Sequence, residues 1–151
     1  MLSKQELDAA LAAERAMYRA LSEVQDITRE LLDAVDRQDQ VSVRLFLSMR
    51  QEQINQLRDQ KELLKKQCGG LPKEEGDLLR QILSGKKPAG VEGEALSLQV
   101  ERNRALLERT LQADKALSRR LAGRESFYQS GVRPLFGGKK PSAGILPAEG
   151  A

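Results

Sequence analysis

Apolar residues recur every three to four positions over most of the first 121 residues, and polar residues fill the positions between them. That period places them on one face of an α-helix, and no stretch shows the strict alternation of a half-buried strand. Leu7, Leu11, Met17, Tyr18, Leu21, Val24, Leu31, Leu32 and Val35 form the first stripe, interrupted by Glu14, Gln25 and Thr28. Ser3 can cap the start of this helix, with Glu6 three residues on completing a capping box. The average advance of 3.5 residues suits coiled-coil-like packing against another helix.

Residues 36–40, DRQDQ, carry no apolar side chain and separate the first stripe from a second: Val43, Phe46, Leu47, Ile54, Leu57, Leu64, widened by Leu45 and Met49. One helix from 4 to 67 would be ~95 Å long at 1.5 Å per residue. A helical hairpin with a tight reversal, and Asp39 as N-cap of the second helix, is the better expectation. Gly69 and Gly70 are expected to end that helix in the left-handed conformation. Pro72 suits the first residue of a short helix running through Ser84. GKKPAGVEG, residues 85–93, reads as a linker. A last stripe then runs Leu96, Val100, Leu107, Leu111, Leu117, Leu121, with Asn103 set into it and an abrupt stop at Gly123. After Gly123 come five Gly and three of the five Pro, too irregular a segment for a core.

The expected fold is therefore all-α: an elongated antiparallel helical bundle of three long helices and one short one with coiled-coil-like packing. Its helices are expected at about 4–37, 40–67, 73–84 and 94–121, within one domain of residues 1–121. Residues 85–93 form the internal linker and residues 122–151 a flexible Gly/Pro-rich tail.

Composition agrees with long solvated helices better than with a globular enzyme: aromatic residues are 3%, Trp is absent and charged residues are 31%. The net charge of +3 is unevenly placed, since residues 96–151 hold 10 Lys and Arg against 5 Asp and Glu while the rest is near balance. In ERNRALLERTLQADKALSRR the bases alternate with Glu101, Glu108 and Asp114, so i to i+4 pairing supports a helix, and no continuous phosphate track results. Nucleic acid is accordingly not an expected partner. The N-terminus lacks the apolar run of an export signal, and no segment approaches the ~20 apolar residues of a membrane span. With Cys68 as the single cysteine, a cytoplasmic location is expected.

The inventory for catalysis is thin. There is no His, one Cys cannot furnish a zinc site, and no cofactor is expected. Cys68 has no base near it in sequence, and neither SGKKP nor FGGKKPS has the Gly spacing and hydroxyl residue of a P-loop. Glu14 and Asp114 are the carboxylates nearest the apolar stripes, and are read as stripe-edge residues reaching water ahead of a catalytic pair. Asn103 either fixes register against a neighbouring helix or bonds water at the stripe's edge. Together with the stop at Gly123, it marks where home packing is expected to give way to partner binding.

The hairpin, the variable middle and a final helix reading VERNRALLERTLQ, from Val100 to Gln112, resemble the FlgN-type flagellar export chaperones. Tyr128, just past the helix in a Gly-containing tail, is similar to how chains of that family often finish. The resemblance implies a cytoplasmic, non-enzymatic chaperone that binds hook–filament junction proteins before type III secretion and delivers them to the export apparatus. In that family the last helix and tail contact the client's C-terminal amphipathic helix. By position the implied partner-binding residues are Asn103, Leu106, Leu107, Thr110, Leu111, Leu117 and Leu121, with Phe127, Tyr128, Leu135 and Phe136 as tail anchors. A FliT-type chaperone is not separated from the FlgN type by periodicity. A structural coiled-coil or self-assembling scaffold protein is the alternative, and a homo-oligomer stays open.

Overall fold

A computed structural model of the chain describes residues 1–87 and 92–122. These fold into four helices: α1 (Lys4–Arg37), α2 (Gln40–Gly69), α3 (Lys73–Leu83) and α4 (Glu94–Ala122). Among the described residues there is no strand.

α1 starts where the capping box predicts. The Glu6 N–H donates to Ser3 Oγ at 3.1 Å and the Ser3 N–H donates to Glu6 Oε1 at 2.9 Å, so two backbone donors without helical partners are satisfied. Its 34 residues span about 50 Å. The reversal to α2 takes two residues. Gln38 adopts φ 60°, ψ 37°, and the N–H groups of Gln38 and Asp39 donate to the carbonyls of Val35 and Ala34, both at 3.0 Å. That pair of bonds is the Schellman closure, built here on a glutamine instead of a glycine. Asp39 then caps α2, accepting from the Ser42 N–H at 3.1 Å and the Ser42 hydroxyl at 2.7 Å. These bonds to its ionised form, the hydroxyl's first, hold the Asp39 carboxyl below its usual range.

The end of α2 differs from expectation. Gly69 is still helical and Gly70 sits at φ −88°, its N–H reaching back to the Lys66 carbonyl at 3.0 Å, so neither glycine is left-handed. Glycine is instead required at Gly76, where a Cβ would lie 2.6 Å from the Cys68 carbonyl oxygen. α3 therefore crosses the end of α2 at backbone contact. Pro72 is the N-cap of α3 and not its first residue, and α3 ends at Leu83. Left-handed glycines, Gly85 (φ 101°) and Gly93 (φ 99°), flank the connection to α4.

α1 is the spine. It packs along α2, which runs antiparallel to it, and along α4, while α3 joins the ends of α2 and α4. Three apolar clusters succeed one another along the bundle. The first holds Leu2, Ala10, Leu64, Leu79, Ile82 and Leu96, the middle Leu21, Val24, Ile54, Leu57 and Leu106, and the last, at the reversal, Leu31, Val35, Val43, Leu117 and Leu121. Burying each such large side chain contributes roughly 1.5–3 kcal/mol, so these clusters carry the stability. Home packing does not yield at Asn103, and the other expected mark, the stop at Gly123, lies outside the described residues. Leu117 is fully buried and Leu121 is 7% exposed, because α1 and α2 extend far enough to cover α4 through its last turn.

Between the clusters lie two polar layers. In one, Asn103 Nδ2 donates to the Glu14 carbonyl at 2.8 Å and to Glu14 Oε1 at 2.6 Å, while Asn103 Oδ1 accepts from Gln99 at 3.0 Å. In the other, the Arg50 guanidinium donates to Asp114 at 2.8 Å and to the Thr28 hydroxyl at 3.0 Å, and Thr28 donates to the Val24 carbonyl at 2.7 Å. Glu14 and Asp114 are thus buried and paired, not stripe-edge groups reaching water: each sits in the helix seam, where neighbouring helices exclude solvent. Buried polar pairs of this kind add little net stability but penalise any slip in register, which would leave each partner unsatisfied.

Candidate functional site

The seam of α2 explains an opening in the bundle. Stepping by four and three from Val43 gives positions 47, 50, 54, 57, 61, 64 and 68, which should face α1 and α4. Position 61 is a lysine. Its long side chain is half-buried and cannot fill the seam with apolar volume as Leu57 and Leu64 do. A groove of about 690 Å³ opens there between α2 and α4, floored by α1 and closed at one end by α3.

Met17 and Leu21 form the floor with Glu14. Leu57, Leu64 and Cys68 line the α2 wall, and Val100, Asn103 and Leu107 the α4 wall, with Leu83 at the closed end. From Val100 to Leu107 and from Glu14 to Leu21 is seven residues, about 10 Å along either helix, or two turns. The walls are mostly apolar, and the cations Lys61, Lys65, Arg80 and Arg104 also border the opening.

Burial pushes the Glu14 carboxyl up to about 7, against the downward pull of its hydrogen bond from Asn103. Cys68 is buried and burial likewise raises its thiol, partly offset by the Arg80 charge, so it stands in its unreactive protonated form. Desolvation lowers Arg50, with the Asp114 carboxylate opposing that shift. Among the described residues no cluster of three or more His, Cys, Asp or Glu is placed to hold a metal ion, and no helix is long and apolar enough to cross a membrane.

The residues singled out on α4 fall into three groups. Asn103 and Leu107 line the groove, Leu107 half-buried. Leu106, Thr110, Leu117 and Leu121 face the bundle's interior, and Leu111 is half-buried beside the middle cluster. Phe127, Tyr128, Leu135 and Phe136 lie outside the described residues. Asn103 takes the first of its two expected roles: it ties α4 to α1 by bonds to both the main chain and the side chain of Glu14.

Met17, Leu57, Leu64 and Lys61 were visible in the sequence only as stripe or helix-surface residues; nothing marked them as a shared wall. Arg50 was missed altogether, although the heptad step from Val43 reaches it. No protein-family model, curated protein or solved structure matches the chain.

Proposed function

We propose that the chain is a non-enzymatic chaperone that holds an amphipathic helix of a client protein in the groove between α2 and α4. In line with the FlgN-type resemblance of Val100 to Gln112, the client is a flagellar hook–filament junction subunit, kept in the cytoplasm before delivery to the type III export apparatus. The observation that carries this reading is the open apolar groove. Its volume of about 690 Å³ lies within the ~300–1,000 Å³ of binding clefts, and its two-turn length accepts apolar anchors at i, i+4 and i+7 of a helix. A helix laid in it keeps its polar side in water, which an open-sided groove permits and an enclosed pocket does not. The thiol in the groove is buried and protonated, and the carboxyl on its floor, Glu14, is bonded to the Asn103 amide.

The test is to mix the purified chain with junction subunits. A complex on gel filtration, protection of the subunits' C-termini from protease, and loss of both with Leu107→Asp support the reading; no complex and no protection overturn it.

A self-assembling scaffold is the second reading, favoured by an exposed stripe on the outer face of α2: Val41, Leu45 and Met49, 80%, 56% and 40% exposed and four residues apart. It predicts a stable higher oligomer by light scattering, unchanged when Leu107 and Leu111 become Ala.

A further inference from the structure

We infer that the groove selects a helix whose apolar stripe is bordered by acidic residues on both sides, an inference that rests on the helix-binding reading of the groove. The cations stand on both walls. Lys61 and Lys65 lie one turn apart on α2, and Arg104 of α4 and Arg80 of α3 lie across from them. Among the described residues that line the groove the one acid is Glu14, which is 6% exposed on the floor and bonded to Asn103.

The charges on Lys65, Arg80 and Arg104 are open to exchange. Arg104 Nη1 donates to the Ser84 carbonyl at 2.6 Å, a neutral acceptor that holds the guanidinium in place without cancelling its charge. Lys65 meets Glu62 only at 3.7 Å and Arg80 meets Asp77 at 3.0 Å, with all four side chains about half exposed or more. Such surface pairs contribute little and yield readily to a ligand carboxylate. A helix seated by its apolar face places the residues flanking that face against the two walls, so an acid on one border meets Lys65 and an acid on the other meets Arg104.

Other occupants fit less well. The chain's own residues 123–151 carry four Lys and Arg against two Glu, the wrong sign for a basic rim. A nucleic acid strand satisfies the cations but leaves the apolar floor unused, and a single-headed anionic lipid engages one wall only.

The experiment uses the full chain and two synthetic helical peptides with identical Leu anchors at i, i+4 and i+7. One carries Glu and the other Lys on both borders of the stripe, and binding is followed by fluorescence anisotropy. The Glu-bordered peptide should bind about tenfold tighter or more at low salt, and the ratio should fall to within about twofold at 1 M salt, where screening acts within ~3 Å. Lys65→Glu, at an exposed position, should lower the first affinity and raise the second, and Lys65→Gln should fall between. Equal binding of both peptides overturns the acidic selection but leaves the helix-binding groove standing. No binding of either overturns both. Tighter binding of a single-stranded oligonucleotide or of anionic phospholipid vesicles than of the Glu-bordered peptide overturns the selection in favour of those ligands.

Discussion

Replacing Glu14 with Gln should make the bundle more stable at alkaline pH while leaving it nearly unchanged in acid. The carboxyl is 6% exposed and its folded-state value is raised from 4.5 to about 7. Below about pH 4.5 it is protonated in both the folded and the unfolded chain and no penalty arises. Between there and about 7 the folded chain retains a proton that the unfolded chain has lost, so stability falls as pH rises; above 7 the penalty is complete. At 1.36 kcal/mol per unit the full loss is roughly 3 kcal/mol, a large share of the 5–15 kcal/mol typical of a domain. Gln keeps an oxygen for the Asn103 amide and cannot ionise. The chain has no His, the side chain that ordinarily titrates in this range. Urea unfolding followed by circular dichroism at about pH 5 and pH 8 should show the wild-type midpoint dropping relative to the variant by on the order of 2 M urea, for a slope near 1.5 kcal/mol per M. Parallel pH profiles for the two proteins, or a variant less stable than wild type at pH 8, would show that burial of Glu14 carries no such penalty.

The second polar layer should behave as a buried pair: Asp114→Asn leaves the Arg50 charge, 2% exposed, without its counter-ion and should cost about 3–5 kcal/mol, whereas Arg50→Met with Asp114→Leu should recover most of that loss in the same urea assay. Gly76→Ala adds a Cβ 2.6 Å from the Cys68 carbonyl and should destabilise by about 1–3 kcal/mol despite alanine's better helix propensity. Because α3 then lifts off α2, the Cys68 thiol should react faster with a disulfide reagent; an unchanged rate would contradict the close crossing.

The helices were legible wherever local chemistry decides. Ser3 and Glu6 announce the start of α1, and the apolar gap at 36–40 with Asp39 announces the reversal, since capping and turn formation depend on residues a few positions apart. The glycines were less informative: Gly69 and Gly70 end α2 without turning left-handed, whereas Gln38 does so at the end of α1, held there by the Schellman bonds. The polar layers were hidden for another reason. Counting apolar residues treats Glu14, Thr28, Arg50 and Asp114 as interruptions, while the heptad step treats them as occupants of the seam. Even that step does not reveal that Arg50 meets Asp114, 64 residues away, because the pairing depends on how three helices align. The groove was illegible because it is a gap, created jointly by Lys61 in the seam and by α3 closing one end.

In the proposed function a client helix seats on the α1 floor between α2 and α4. Methyl-labelled methionine tests it directly, since Met17 lines the groove while Met49 lies on α2 away from it and Met1 is at the exposed N-terminus. Titrating the C-terminal helix of a hook–filament junction subunit into the labelled chain should shift or broaden the Met17 methyl resonance in NMR spectra and leave those of Met49 and Met1 in place. A saturating client that moves Met49 and leaves Met17 untouched would place the client outside the groove.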